Sequence, residues 1–195
     1  MIATFPSRHY DIEDFPAIKE YLLSFGMERL EQTGKKYKIK GDDVHARKKT
    51  NNKWFETQDS ISYWEDFSKQ KIVWKRVGSI LRFSYDEKKC LALDSTCFAT
   101  GENIKFLVAV LNSKMGKYLL QDSPKTGTGD LLISVQAVEP IMIPKPSKDV
   151  KDEIEKLLDK IFMGDQSAEQ KIDCKVFKLY GLNEREMAHI STLLD

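Results

Sequence analysis

Apolar residues recur at helical spacing in the first thirty residues of the chain. Asp14 and Pro16 are residue types that begin helices, and large apolar residues then follow at Ile18, Tyr21, Leu22, Phe25 and Leu30. The pattern predicts a helix that begins at Pro16, is capped by Asp14, and ends near Gly34.

The middle of the chain alternates apolar and polar residues at the spacing of β-strands. Segments of this kind occupy residues 71–76, 80–85, 90–93 and 95–100, with a turn at 86–88. A helix that begins near Asn103 and carries its apolar residues on one face comes next. Two further strands are predicted at residues 131–135 and 141–143.

The tail of the chain carries three amphipathic helices. Ser147 is a capping residue for the first, a capping box at residues 167–170 starts the second, and Asn183 starts the third in the same way. We therefore predict an α+β fold with a mixed or antiparallel sheet and flanking helices over residues 1–146. A helical C-terminal tail follows over residues 147–195.

Charge is segregated along the chain, although the net charge is only +1. Residues 35–53 contain eight basic residues and two acids, whereas the segment from Ser147 onward contains eight basic and eleven acidic residues. Because residues 35–53 also hold few large apolar side chains, we predict an exposed basic loop there.

The composition argues against several classes of protein. No apolar run approaches the ~20 residues of a membrane helix, and the first residues lack the pattern of a signal peptide. We therefore expect a cytoplasmic protein with no membrane partner. Three cysteines, none in a Cys-x-x-Cys string, and three widely separated histidines indicate neither a disulfide framework nor a metal site.

Two strings suggest chemistry at first sight, but neither has the context that the chemistry needs. The Thr-Gly-Thr-Gly string at residues 126–129 follows a helix and precedes a strand, which is the reverse of a phosphate-binding loop. The Glu-Lys-Lys string at residues 87–89 matches half of a metal-dependent nuclease site, with Asp66 or Asp86 as further carboxylates, but it lies in a predicted turn. We therefore nominate no catalytic residue.

A series of strings extends along nearly the whole chain in a fixed order. Its clearest members are Tyr63-Trp64-Glu65-Asp66-Phe67, Leu111-Asn112-Ser113 and the segment 138–146, which ends in Ile-Pro-Lys-Pro. With residues 2–22, 46–56, 71–74 and 172–186, they resemble the C-terminal specificity (target-recognition) domain of Taq-type adenine-N6 DNA methyltransferases and of type II (IIG) restriction-modification enzymes. The Leu-Asn-Ser helix, the glycine loop and the Ile-Pro-Lys-Pro segment also resemble domains of type I specificity subunits.

The resemblance implies a bacterial restriction-modification function without catalysis by this chain. The chain would recognise a specific sequence in double-stranded DNA and position the target adenine for a methyltransferase or nuclease domain or subunit. S-adenosylmethionine and the methyl-transfer motifs would belong to that absent catalytic domain, so we expect no cofactor in this chain. The expected partners are double-stranded DNA and the catalytic domain or subunit.

Duplex recognition needs cations for phosphates and planar donors for base edges. The basic loop supplies seven candidates: Arg47, Lys48, Lys49, Asn51, Asn52, Lys53 and Trp54. Lys75 and Arg76 beside a strand, and Lys125, Thr126 and Thr128 in the glycine loop, complete the predicted DNA-binding set.

Three alternatives stay open. The basic loop can be merely solvated, with Trp54 as a core anchor. The chain can be a protein-interaction remnant that docks onto a partner methyltransferase or restriction subunit through its tail and has lost DNA binding. The Glu-Lys-Lys string can belong to an unrecognised nuclease.

Overall fold

The chain divides into two units, Met1–Trp64 and Glu65–Asp195. The computed structural model describes residues 2–59 and 61–194. Its helices, its small antiparallel sheets and its helical C-terminal region confirm the predicted α+β fold.

The first unit contains two short helices and one hairpin: α1 (Pro16–Leu23), α2 (Met27–Leu30), β1 (Lys36–Ile39) and β2 (Asp42–His45). Helix α1 begins at Pro16 as predicted, but the predicted Asp14 cap is wrong. Asp14 lies in a short 3-10 turn, Ile12–Asp14, and no side chain caps α1. The predicted helix also ends early, because Gly26 with φ of 88° separates α1 from α2.

The predicted loop at residues 35–53 is half wrong, because its first part is the β1–β2 hairpin. Tyr37 pairs with Val44 and Ile39 with Asp42 across the hairpin. The two turn residues, Lys40 and Gly41, both have positive φ, at 52° and 96°, which suits the right-handed twist of a tight hairpin. Val44 is buried, so a single apolar anchor suffices to orient the strand pair.

The elements of the second unit are β3 (Lys71–Lys75), β4 (Val77–Gly78), β5 (Phe83–Asp86), β6 (Thr96–Thr100), α3 (Ile104–Asn112), α4 (Lys114–Leu120), β7 (Leu131–Leu132), α5 (Val135–Val138), α6 (Lys148–Phe162), α7 (Ser167–Leu179) and α8 (Glu184–Leu194). Three of the strands form an antiparallel sheet in the order β5-β3-β6, and β4 and β7 form a separate two-stranded antiparallel pair.

Three of the predicted strands need correction. Residues 90–93 and 141–143 form no strand, and the strand predicted at 131–135 is only the two residues of β7, followed by α5. Leu91 and Leu93 are 48% and 76% exposed, so they have no sheet face to cover. The central strand β3 is already paired on both sides, and neither residues 90–93 nor residues 141–143 pair with the outer edges of β5 and β6.

The predicted single helix after Asn103 is two helices that meet at Ser113. The side-chain amide of Asn112 makes the two hydrogen bonds that a neighbouring strand would make with Phe83. Its Oδ1 accepts from the Phe83 amide at 2.9 Å, and its Nδ2 donates to the Phe83 carbonyl at 2.6 Å. Ser113 then caps α4 by accepting from the Gly116 amide at 3.3 Å. The Leu-Asn-Ser string therefore ties α3 to the edge of the sheet and restarts the helix in a new direction.

Gly116 allows this junction to close. A Cβ at this position would lie 2.4 Å from the Leu111 carbonyl oxygen and 2.5 Å from that of Val110. Backbone oxygens cannot swing away as a flexible side chain can, so any larger residue would force α3 and α4 apart.

A buried ion pair joins β3 to β5, between the cross-strand partners Lys71 and Asp86. Lys71 is fully buried, and its Nζ lies 2.6 Å from Asp86 Oδ2 and donates to the Phe67 carbonyl at 2.9 Å. Burial alone would raise the pKa of Asp86, but the bond from Lys71 and those from the Lys88 and Cys90 amides lower it below its usual value.

The helices of the tail contribute to one core with the sheet. Ile154, Leu158, Val176 and Phe177 are buried in the same cluster as Trp74, Phe83 and Phe106. Ser147 caps α6 and Asn183 forms a reciprocal capping box with Glu186, as predicted. The predicted box at Ser167 is wrong, because Asp165 accepts from the Ser167 amide instead. The predicted division at residue 146 stays a prediction.

Gly116→Ala should destabilise the second unit by about 1–3 kcal/mol or more, since its new Cβ overlaps two carbonyl oxygens. Gly127→Ala is the matched control, because a Cβ there meets nothing within 4 Å. Urea unfolding followed by circular dichroism measures both variants. Equal midpoints for the two variants would contradict the close-packed junction.

Asp86→Asn should cost roughly 3–5 kcal/mol at neutral pH, because it leaves the buried Lys71 ammonium without its counter-charge. Since the folded pKa of Asp86 is lowered, the contribution of the pair is present above the unfolded pKa of about 3.9. It is lost as the pH falls through the folded pKa.

The difference in unfolding free energy between wild type and Asp86→Asn should therefore narrow below about pH 4. Asp66→Asn is the control, since it removes an ion pair with Lys69 whose lysine side chain is 61% exposed. A gap that stays constant over the acid range would show that folding does not lower the pKa of Asp86.

Candidate nucleic-acid interface

Arg47 holds the basic loop in place instead of extending from it. Its Nε and Nη2 donate to the Leu30 carbonyl at 2.9 and 2.6 Å, and its Nη1 donates to the Glu56 carbonyl at 2.9 Å. Nη2 also donates to the Trp54 carbonyl. Burial lowers the pKa of Arg47 from its usual value, but an arginine stays protonated, so its donors remain directed at these carbonyls.

Three more side chains fasten the same loop. Gln32, which is 5% exposed, donates to the carbonyls of Lys53 and Glu56 and accepts from the Thr50 hydroxyl at 2.6 Å. Glu56, which is 6% exposed, accepts from the Lys53 amide at 2.7 Å. Asn52 donates to the carbonyls of Thr57 and Gln58. The loop is therefore tied to its own main chain at several points.

The remaining polar residues of the loop face outward. Lys48, Lys49, Asn51 and Lys53 are exposed, and Lys53 lies over the ring of Phe55 with its Nζ 5.5 Å from the centroid. Trp54 is half-buried and meets Phe55 edge-on at 5.6 Å. The first unit thus presents three cations and one amide from a loop whose backbone is held.

In the second unit, Lys75 and Arg76 lie where β3 ends, and both are exposed. The main chain of Arg76 is fixed on both sides: its amide donates to the Ser95 carbonyl at 3.0 Å, and its carbonyl accepts from the Ile133 amide at 2.8 Å. The side chains of Lys75 and Arg76 therefore start from an anchored backbone.

Lys125, Thr126 and Thr128 lie in a narrow hairpin beside this strand end. Lys125 bridges to Leu131, which pairs with Gly78 of β4. The hydroxyls of Thr126 and Thr128 share a hydrogen bond of 2.8 Å, and Thr128 also donates to Asp130 at 3.1 Å. The threonines close their own loop, which leaves Lys125 as the outward cation.

The structure sorts the predicted site residues into two kinds, apart from Trp54, which is half-buried against Phe55. Arg47, Asn52, Thr126 and Thr128 form their hydrogen bonds within the protein. The outward set consists of Lys48, Lys49, Asn51, Lys53, Lys75, Arg76 and Lys125. Sequence reasoning missed Gln32 and Glu56. Gln32 bonds to residues about twenty positions later, which no local pattern reports. Glu56 lies only three residues after Lys53, but its burial is not visible in the sequence.

A metal-dependent nuclease would need a cluster of carboxylates to hold its metal ion. Asp86, a carboxylate considered for a nuclease, is held by Lys71 and two amides. In residues 2–59 and 61–194, no group of three His, Cys, Asp or Glu side chains is placed to hold a metal ion. Within the same residues, no helix has both the length and the apolarity to cross a membrane.

Comparison with known proteins gives one finding. The sequence model of the TaqI-like C-terminal specificity domain matches residues 18–136, which is more than half of the chain. The matched range includes both sets of outward cations and the α3–α4 junction. No curated protein matches the chain.

Arg47→Ala should destabilise the first unit by about 1–3 kcal/mol, because it removes the Arg47 donors from the carbonyls of Leu30, Trp54 and Glu56, of which only Glu56 keeps the Gln32 donor described above. Arg47→Lys should recover only part of this stability, since an ammonium cannot form the planar fork. Lys48→Ala is the neighbouring control and should change stability by less than about 0.5 kcal/mol. Urea unfolding followed by tryptophan fluorescence measures all three; an unchanged Arg47→Ala midpoint would contradict the supporting role.

Proposed function

The chain belongs to the family of TaqI-like C-terminal specificity domains, and we propose on this basis that it recognises a specific sequence in double-stranded DNA for a methyltransferase. In this proposal the target is an adenine that a catalytic domain elsewhere methylates at N6, within a bacterial type II restriction-modification system. S-adenosylmethionine binds to that catalytic domain, and this chain alone transfers no methyl group.

The observation that carries the proposal is that some side chains of the basic loop hold its backbone and others face outward. Supporting side chains hold the backbone from inside, while Lys48, Lys49 and Lys53 point outward. A held backbone presents its cations to phosphates with little further ordering cost. These lysines supply the sequence-independent part of the affinity.

Asn51 is the residue of this loop that suits base recognition. It is exposed, whereas Asn52 and Arg47 are occupied by main-chain carbonyls. An asparagine amide can bond to both N6 and N7 of adenine in the major groove. We therefore assign Asn51 to a base edge and no longer assign Arg47 or Asn52 to one.

The second unit contributes cations of its own in this proposal. Arg76 can pair with the O6 and N7 of guanine, and Lys75 and Lys125 contact phosphates. The anchored main chain of Arg76 favours such a role, because bidentate base contacts need a fixed starting point.

The Lys48→Ala/Lys49→Ala double variant should weaken binding to every duplex alike. The slope of log affinity against log salt should fall by about 0.9 for each phosphate that the variant no longer neutralises. Asn51→Ala should instead cost ~1–3 kcal/mol on the preferred sequence and little on random DNA. Fluorescence anisotropy at several salt concentrations measures both, with the preferred sequence enriched beforehand from a randomised duplex pool.

Lys148→Ala/Lys178→Ala is the matched control, because it removes two exposed lysines from the tail. It should leave the affinity and the salt slope nearly unchanged. A wild-type chain that binds no duplex at low salt would overturn the proposed function. A Lys48→Ala/Lys49→Ala variant that binds like wild type would show that the DNA-binding surface does not include these two lysines.

A further inference from the structure

Helices α6 and α7 form a groove in which four lysines collect. The groove is lined by Glu153, Lys156, Leu157, Lys160, Lys171 and Lys175, and its volume is about 310 Å³. We call this surface the lysine groove. It lies beyond residue 136, where the family match ends.

The excess of positive charge is unexpected for this part of the chain, which is acidic overall. The fold separates the two signs by directing acids elsewhere. Asp159 pairs with Lys105 of α3, and Asp173 accepts from the Lys114 amide. The groove keeps four lysines against the single carboxylate of Glu153, which pairs with Lys175.

In the described part of the chain, the other three lysines of the groove have no close ion pair, although the charge of Glu153 acts on Lys156 and that of Asp165 acts on Lys160 and Lys171. Within residues 2–59 and 61–194, Lys156, Lys160 and Lys171 form no ion pair. Unpaired charges of one sign repel one another, and a polyanion that binds across them removes the repulsion. The groove is therefore poised for a partner of opposite charge.

The geometry suits a chain of phosphates. Lys156 and Lys160 lie four residues apart on α6, as do Lys171 and Lys175 on α7, which spaces each pair by about 6 Å along its helix. Packed helices run about 8–10 Å apart, so the lysines form two rows on either side of a shallow channel.

The lining argues for nucleic acid over a protein partner. Strong protein interfaces are anchored by buried tryptophan, tyrosine or arginine side chains. The groove offers lysine stems and one leucine instead. Flexible ammonium groups make weak, additive contacts that fit a regular row of phosphates.

We propose that the lysine groove is a second contact surface for the sugar-phosphate backbone of double-stranded DNA, separate from the cations of residues 48–53. The inference rests on the proposed function, since it assumes that the chain binds duplex DNA. It adds a contact in the tail, outside the matched specificity domain. In this proposal the groove contributes to the affinity for DNA and does not contribute to sequence specificity.

Two variants with opposite expected effects on DNA affinity test the groove, both made in the whole chain. Lys160→Ala/Lys171→Ala removes two unpaired lysines and should weaken binding to all duplexes. Its salt slope should fall by about 0.9 for each phosphate left without a lysine. Glu153→Gln removes the one acid and releases Lys175, so it should tighten binding at low salt. The Lys148→Ala/Lys178→Ala control removes lysines of the same helices outside the groove.

Fluorescence anisotropy with a labelled duplex at several salt concentrations gives the affinities and slopes. Thermal unfolding verifies that these exposed substitutions leave the fold intact. Weaker binding by the lysine variant together with tighter binding by Glu153→Gln supports the groove as a DNA contact.

If wild type binds duplex DNA and the lysine variant binds like the control, the groove proposal is overturned and the proposed function stands. If wild type binds no duplex, the proposed function fails and the groove proposal fails with it. If the lysine variant keeps its DNA affinity but no longer binds an acidic methyltransferase partner, the groove is a protein-docking surface and the DNA assignment is overturned.

Discussion

The second unit depends on the contact between the Asn112 amide and the main chain of Phe83. A helix cannot normally extend a sheet, because its own backbone groups are already bonded within it. Asn112 overcomes this with a side chain that donates and accepts as a strand residue does. It thereby fixes α3 on the sheet, and the buried face of α3 in turn provides the surface on which the tail helices pack.

The polar residues of the protein follow a common principle in both units. A side chain that bonds to a neighbouring carbonyl supports the fold, and the cations left over reach the surface. Arg47 and Lys71 look like surface residues in the sequence, yet each donates to main-chain carbonyls inside its unit. Lys48 and Lys75 look similar in the sequence and are exposed. The difference lies in the carbonyls that the fold brings within reach.

This principle explains what the sequence could and could not predict. The α+β class, the start of α1, the strand at β3 and the Ser147 cap follow from local spacing, and they are confirmed. The strand predicted at residues 90–93 failed because pairing depends on a distant edge, which a local pattern does not report. The β1–β2 hairpin was missed because lysines on its exposed face conceal the alternation of Tyr37, Ile39 and Val44.

The residues of the candidate site also fall into those that the sequence could predict and those that it could not. The outward lysines could be nominated from charge density alone, because an exposed loop has few other uses for several cations. The supporting residues could not, since Gln32 meets the loop only after the chain has folded, and the sequence does not show that Glu56 is buried. The lysine groove was hidden by the acidic average of the tail, and only the positions of residues on two neighbouring helices reveal it.

Three side chains that hold the basic loop, those of Arg47, Gln32 and Asn52, are here called the clamp. The clamp bears on how the outward residues of the loop can change. Arg47, Gln32 and Asn52 all bond to carbonyl oxygens, and every amino acid carries one. The clamp is therefore indifferent to which side chains the loop displays. Exchanging Lys48, Lys49 or Asn51 alters what the loop touches without altering what holds it. Under the proposed function, a domain built in this way could change its DNA contacts by substitution at the outward positions, with its scaffold intact.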